Sequence, residues 1–193
     1  QAAVDEKLPV TTNLLSLPRR GDSPWVLVWA YSDQQPVLAL VYHRERKKLT
    51  LLGRSMPQIA PALMSTMNYT PYAARDGRTI PAYLTLPHSE GIRRPLPLVV
   101  LVHGGPFARG SSWGWNAEVQ FLASRGYAVL QPEFRGSTGF GESHFKAGWK
   151  QWGQAMQDDL ADGARWAAAQ GHADPAQVAI AGGNYGGYAA LMG

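Results

Sequence analysis

The stretch "AIAGGNYGGYAALMG", residues 179–193, decides how this sequence folds. A short apolar run enters two glycines, turns at Asn184, and leaves through small residues of helical composition. The pentad Gly182-Gly183-Asn184-Tyr185-Gly186 has the spacing of a G-x-S-x-G elbow, in which a strand delivers its last residue into a sharp turn at the head of a helix. Glycines beside the apex let neighbouring backbone pass close by. The helix that follows aims its N-terminus at developing negative charge. Here the apex is asparagine, not serine. Asparagine accepts positive φ more readily than most residues, so the turn survives. The chemistry does not, because a neutral carboxamide has no hydroxyl to activate and is a poor nucleophile. "GGNYGG" lacks the G-x-G-x-x-G spacing of a dinucleotide loop, and no Gly-Lys-Ser/Thr follows to make a P-loop. A plain glycine-rich strand-to-helix turn remains the alternative.

Working outward, the sequence alternates between strand and helix. "LPLVVLVH" (96–103) is a continuous apolar strand of the kind covered on both faces. "WGWNAEVQFLASRG" (113–126) has helical spacing and stops at a glycine. "YAVLQPEF" (127–134) is the next strand, followed by the loop "RGSTGFGES" (135–143). "DDLADGARWAAAQG" (158–171) is a second helix, with Asp158 and Asp159 read as first-turn charges that suit its dipole. Trp166 and Tyr188 are read as core. Before these elements, "NYTPYAARDGRTIPAYLTLP" (68–87) reads as two strands joined at Asp76-Gly77. This order predicts a mostly parallel α/β sheet with right-handed crossovers. Leu98–Val102, Ala128–Gln131 and Val178–Ala181 are expected as adjacent parallel strands, with Gly105 close to Asn184 at their C-terminal ends.

Residues 1–55 have a different grammar. "WVLVWAY" (25–31), "VLALVYH" (37–43) and "KLTLL" (48–52) are short runs separated by turn residues, and predict a three-stranded antiparallel sheet too small for its own core. "GRSMPQIAPALM" (53–64) reads as linker. The division is therefore 1–55, a hinge at 56–66, and 67–193. Of the net charge of +4, the first 55 residues hold 8 Lys/Arg against 5 Asp/Glu, densest in "HRERKK" at 43–48. No recognition helix or aromatic platform accompanies that run, so it is read as a solvated turn and no nucleic-acid partner is expected. No apolar run reaches membrane-spanning length, and no membrane partner is expected either. Cysteine is absent, which excludes thiolate chemistry and disulfides. The first residue is Gln1 and no signal peptide is visible.

A second motif, "LVHGGPFARG" (101–110), puts His103-Gly104-Gly105-Pro106 directly after the central strand. In α/β-hydrolase folds an HGG loop at that place presents a backbone N–H to a tetrahedral oxyanion. His103 is read as a packed residue that shapes the loop. His43, His88, His103, His144 and His172 all precede position 184, whereas the triad histidine of that fold follows its nucleophile. No histidine pair has zinc-ligand spacing with a third ligand nearby, so no metal is expected.

Together "ARDGRTIPAYLTLP", "LPLVVLVHGGP", residues 120–145, "DDLADGARW" and "AGGNYGGYAALMG" resemble the prolyl oligopeptidase family of serine peptidases. The acylaminoacyl-peptidase and dipeptidyl-aminopeptidase-like branch is the most similar. Residues 25–52 resemble the last blade of that family's N-terminal β-propeller, which explains a small sheet without a core. The resemblance implies an α/β-hydrolase fold, first half only, behind the end of a propeller. It implies position 184 as the nucleophile, Gly105 and Tyr185 as oxyanion-hole N–H donors, and a site shaped by Gly182, Gly183, Gly186, His103, Gly104 and the Phe134–Gly141 loop. Arg135 in that loop is read as tying it to neighbouring carbonyls or carboxylates. It implies short peptide substrates cleaved through an acyl-enzyme, and no cofactor. The remaining propeller and C-terminal hydrolase half are the implied partners, with homo-oligomerisation left open. The family's Ser is Asn184 here, and its downstream Asp and His fall beyond Gly193, so the chain as it stands is expected to be inactive. A pseudoenzyme that binds peptides is the first alternative. A carboxylesterase on the same fold is the second, and the blade-like segment argues against it.

Overall fold

The structure, a computed structural model, describes residues 1–88 and 95–193. The chain packs as two compact units, one of Gln1–Met64 with Gly114–Ala117, the other of Ser65–Trp113 with Glu118–Gly193. The division falls between residues 64 and 65, inside the stretch read as hinge, while residues 114–117 group with the first unit.

In the first unit a short helix α1 (Ala2–Asp5) precedes β1 (Thr12–Ser16), β2 (Trp25–Tyr31), β3 (Leu38–His43) and β4 (Lys48–Arg54). These four strands form one antiparallel sheet in sequence order. Val26, Val28 and Ala30 alternate inward along β2, Leu40 and Tyr42 along β3, and Val4 of α1 joins them. The sequence reading gave three strands and missed β1. The reason is local: the buried side chain of β1 is Asn13, which bonds to Asp5 Oδ1 (2.9 Å) and the Leu8 carbonyl (3.1 Å). Only Leu15, two residues on, adds an apolar side chain to the core, so the strand carries little apolar alternation.

The later chain runs through β5 (Met67–Tyr69), β6 (Tyr72–Ala73), β7 (Thr79–Ile80), β8 (Ala82–Thr85), β9 (Leu96–Val102), α2 (Ala117–Ser124) and β10 (Ala128–Pro132). It continues as α3 (Glu142–Lys146), α4 (Ala155–Ala169), β11 (Ala173–Gly182) and α5 (Tyr185–Met192). The main sheet has the order β11-β9-β10-β8-β5. β9 lies between two parallel neighbours, with Val100 opposite both Leu130 of β10 and Ile180 of β11. The three strands expected to be adjacent and parallel are so. β8 is antiparallel to β10, and β5 to β8.

The expected hairpin is present, closed by Gly77 N–H donating to the Ala74 carbonyl and Ala74 N–H to that of Arg78, both at 2.8 Å. Each of its two strands is nevertheless broken into two ladders, at Pro71 and Pro81. Proline has no N–H to give to a ladder. β9, read as a continuous apolar strand, is buried at five of its seven residues, β10 is buried along its whole length, and β11 is mostly exposed at the edge of the described sheet. α4 packs a stripe of Met156, Asp159, Leu160, Gly163 and Ala167 inward, at helical spacing. Its apolar members meet Leu96, Leu98, Val100, Leu130 and Phe134 in one core.

Candidate active site

β11 ends at Gly182, and Asn184 takes φ 56° and ψ −120° before α5 begins. The Gly186 N–H donates to the Gly183 carbonyl at 2.9 Å, closing a four-residue turn. Those dihedrals are the ones a type II′ turn needs at its first central residue. The positive φ was expected. The ψ lies outside the left-handed pocket that asparagine tolerates, so the apex is strained. A side chain on Gly182 or Gly186 would run into the Val102 carbonyl of β9, so both must be glycine for the elbow to sit on the central strand. Gly183 faces open space; close packing does not explain it.

At the C-terminal ends of β9 and β11 the Gly105 N–H donates to Asn184 Oδ1 at 3.2 Å. The Asn184 side chain makes no capping bond to α5, although asparagine is a favoured N-cap. Its carbonyl oxygen is drawn to Gly105 instead. Gly104 lies alongside, where an added Cβ would stand 3.1 Å from Asn184 Cβ. Tyr185 is the first residue of α5, so its N–H belongs to the turn that a helix leaves without internal partners. Gly104, Gly105, Asn184 and Tyr185 thus meet where the sequence reading put them.

The Tyr185 ring packs against Phe134 (5.2 Å between centroids), Trp152 (5.1 Å) and Tyr188 (5.7 Å). Its hydroxyl is buried and makes no hydrogen bond among the described residues. Burial, with Tyr188 and Asp159 nearby, pushes that hydroxyl up to about 12. Tyr188, read as core, is in fact 36% exposed beside Trp152. Trp166 is partly buried against the core and stacks on Tyr72 at 5.8 Å.

His103 Nδ1 lies 2.7 Å from the Gly104 carbonyl, and Nε2 lies 3.0 Å from Ser137 Oγ. Its ring stacks on Phe134 at 4.5 Å and 15°. Glu133, fully buried, accepts the Gly110 N–H (3.1 Å) and the Ser111 N–H, and comes 3.7 Å from His103 Nε2. Neither Glu133 nor Ser137 was singled out in the sequence. The signal was there: a carboxylate closing the apolar run "YAVLQPEF" must find donors if it is buried.

Arg135 is buried and donates its backbone N–H and Nε–H to Asp159 Oδ2, both at 2.9 Å, and an Nη2–H to Oδ1 at 2.7 Å. A further Nη1–H reaches Asp76 Oδ2 at 2.9 Å. Asp159 therefore corrects the sequence reading: α4 starts three residues earlier than expected, and Asp159 is the buried counter-ion of Arg135, not a first-turn charge. The carboxylate raises the Arg135 guanidinium above its usual value, and Arg135 holds the Asp76 carboxyl below the usual range. Asp158, which is in the first turn, pairs with Arg75 at 2.6 Å. Among the described residues no group of three or more His, Asp or Glu side chains is placed to hold a metal ion. No helix among them is long and apolar enough to cross a membrane.

Comparison with known proteins gives this geometry a lineage. Residues 113–193 match the prolyl oligopeptidase family. A dipeptidyl aminopeptidase BIII of Pseudoxanthomonas mexicana is 42% identical over 178 residues, covering 89% of this chain and 26% of that protein. Dipeptidyl peptidase family member 6 of Caenorhabditis elegans is 35% identical, over 88% of this chain and 25% of that protein. The chain therefore spans about a quarter of the length of these relatives. Among solved structures, a puromycin hydrolase superposes on 92% of this chain and 27% of its own length, with a TM-score of 0.76 and 28% identity. Residues 113–193 thus carry the sequence of the prolyl oligopeptidase family, and individual relatives in the peptidase group are similar to this chain along most of its length.

Proposed function

We propose that this chain is the nucleophile-bearing portion of a serine-type oligopeptidase scaffold of the dipeptidyl-aminopeptidase kind, silenced by asparagine at position 184. The observation that carries the reading is the pair formed by the Gly105 N–H and the Asn184 side-chain oxygen on a II′-type elbow, at 3.2 Å. A serine in the same backbone conformation presents Oγ at the head of α5. The acyl oxygen of a bound peptide then takes the place beside Gly105 that the carboxamide oxygen now holds. Attack by Oγ, its proton passing to a general base, gives a tetrahedral oxyanion stabilised by the Gly105 and Tyr185 N–H groups; the C–N bond then breaks as the amine takes that proton and leaves, and water hydrolyses the acyl-enzyme. The general base comes from the rest of the whole protein, since every histidine of this chain precedes the elbow. Short peptides are the proposed substrates, and the remaining propeller and hydrolase half the proposed partners.

One observation favours a second reading, a peptide-binding protein without turnover. The Asn184 oxygen is an internal stand-in for a substrate carbonyl and already satisfies the Gly105 donor. The two readings separate in one assay on the whole protein. Asn184→Ser gains hydrolysis of an N-terminally unblocked dipeptide anilide if the scaffold is a silenced peptidase. Binding of the peptide with no turnover by the folded Ser form means the second reading is right.

A further inference from the structure

Position 105 can stabilise an oxyanion only if its N–H points at residue 184, and a glycine-rich loop does not aim a peptide group by itself. Gly105 has φ 132°, a conformation with many neighbours in energy for glycine. Something else must fix the Gly104–Gly105 peptide plane. That peptide is trans, since the sole cis bond among the described residues is Gly105–Pro106. In a planar trans peptide the carbonyl and the N–H point in opposite directions. Whatever holds the Gly104 carbonyl therefore aims the Gly105 N–H.

His103 holds it. Its Nδ1 is 2.7 Å from the Gly104 oxygen, and a carbonyl can only accept, so Nδ1 carries the proton. The ring is kept from turning by its packed neighbours and by a contact at its far edge. Phe134 stacks on it at 4.5 Å. Gly110 lies so close to the ring that a Cβ there would overlap it. Nε2 meets Ser137 Oγ at 3.0 Å and faces the buried Glu133 carboxylate at 3.7 Å. Glu133 in turn accepts the N–H groups of Gly110 and Ser111, which keeps the Gly110 backbone against the imidazole. The loop is thus wrapped around a histidine of fixed tautomer and fixed plane.

We propose that His103 is a positioning residue: its Nδ1–H pulls the Gly104 carbonyl to one side, and so turns the Gly105 N–H toward the reacting group at position 184. Ser137 acts through His103, its hydroxyl donating to Nε2 at the opposite edge of the ring, and Glu133 acts by holding the Gly110 backbone against that ring. The proposal rests on the peptidase reading for its catalytic consequence, but not for the geometry itself.

The test uses the whole protein and a pair of substitutions that mimic different edges of the ring. His103→Asn places an amide N–H near the Nδ1 position, whereas His103→Gln places one near Nε2. In the Asn184→Ser background, His103→Asn is expected to keep kcat within about fivefold. His103→Gln is expected to lose roughly 100-fold in kcat with KM little changed, as for the loss of one oxyanion donor. In the unaltered Asn184 protein, hydrogen exchange at the Gly105 amide, resolved by fragmentation mass spectrometry, should be at least ~10-fold faster in His103→Gln than in His103→Asn. A packing role alone favours Gln, the larger and closer match to the imidazole. Equal exchange in the two variants, or Gln better than Asn in either readout, overturns the proposal. If Asn184→Ser shows no activity at all, the peptidase reading fails and the exchange experiment alone decides the positioning role.

Discussion

Asn184 is held in a backbone conformation that favours glycine, and the cost is measurable. At an unstrained position alanine is more stable than glycine by roughly 0.5–1 kcal/mol. At φ 56° and ψ −120° the order reverses, because a Cβ in such a region costs about 1–3 kcal/mol. Asn184→Gly is therefore expected to be more stable than Asn184→Ala by roughly 0.5–2 kcal/mol in urea unfolding, the strain less the ordinary advantage of alanine, and the opposite order would show that the elbow is relaxed. The next residue carries a different signature. Burial lifts the Tyr185 hydroxyl to about 12, above its value near 10 in an unfolded chain. The neutral form is thus favoured by folding. Its contribution to stability is intact below pH 10 and is lost as pH rises from 10 toward 12. Tyr185→Phe should remove part of the alkaline fall in Tm. It should cost little at pH 7, since the hydroxyl has no hydrogen-bond partner among the described residues. A variant that melts much lower at pH 7 would reveal a partner for that hydroxyl elsewhere in the whole protein.

At the scale of elements, Arg135 ties the loop after β10 to α4 and to the β6–β7 turn, through Asp159 and Asp76. Removing the guanidinium leaves Asp159 buried and uncompensated, so Arg135→Met is expected to cost about 3–5 kcal/mol, and Arg135→Met with Asp159→Leu to recover most of it. Additive losses in that double-mutant cycle would mean the two side chains are not coupled. This tie also shows where sequence reasoning reached and where it stopped. Strands of continuous apolar character, the glycine at the turn of the hairpin and the spacing of the elbow are local signals, and each placed its element within a few residues. The partner of Arg135 lies 24 positions away along the chain, and no local pattern names it. Asp159 looked like a dipole charge because it sits close to the start of α4. Strand β1 was lost for the opposite reason: its most buried residue is Asn13, with only Leu15 beside it on the inward face, so the apolar period is too short to read. Glu133 and Ser137 matter only because the loop folds back over His103, which is a tertiary fact.

For the whole molecule, β11 presents an outer edge with no partner strand among the described residues, and α5 exposes Leu191 (90%) and Met192 (54%). Open strand edges and apolar helix faces invite association. The 193-residue chain on its own is therefore expected to self-associate, with a sedimentation profile that depends on concentration. A monomer with a sharp, concentration-independent melt would contradict this. Covalent labelling decides whether position 184 is, as proposed, the nucleophile position of a silenced serine-hydrolase site. The whole protein and its Asn184→Ser variant are treated with a fluorophosphonate, and the modified residue is located by peptide mass spectrometry. The Ser variant is expected to be labelled at residue 184 and the Asn form not at all. Labelling of the Asn form within the same cleft, or a folded Ser variant that stays unlabelled, would contradict it.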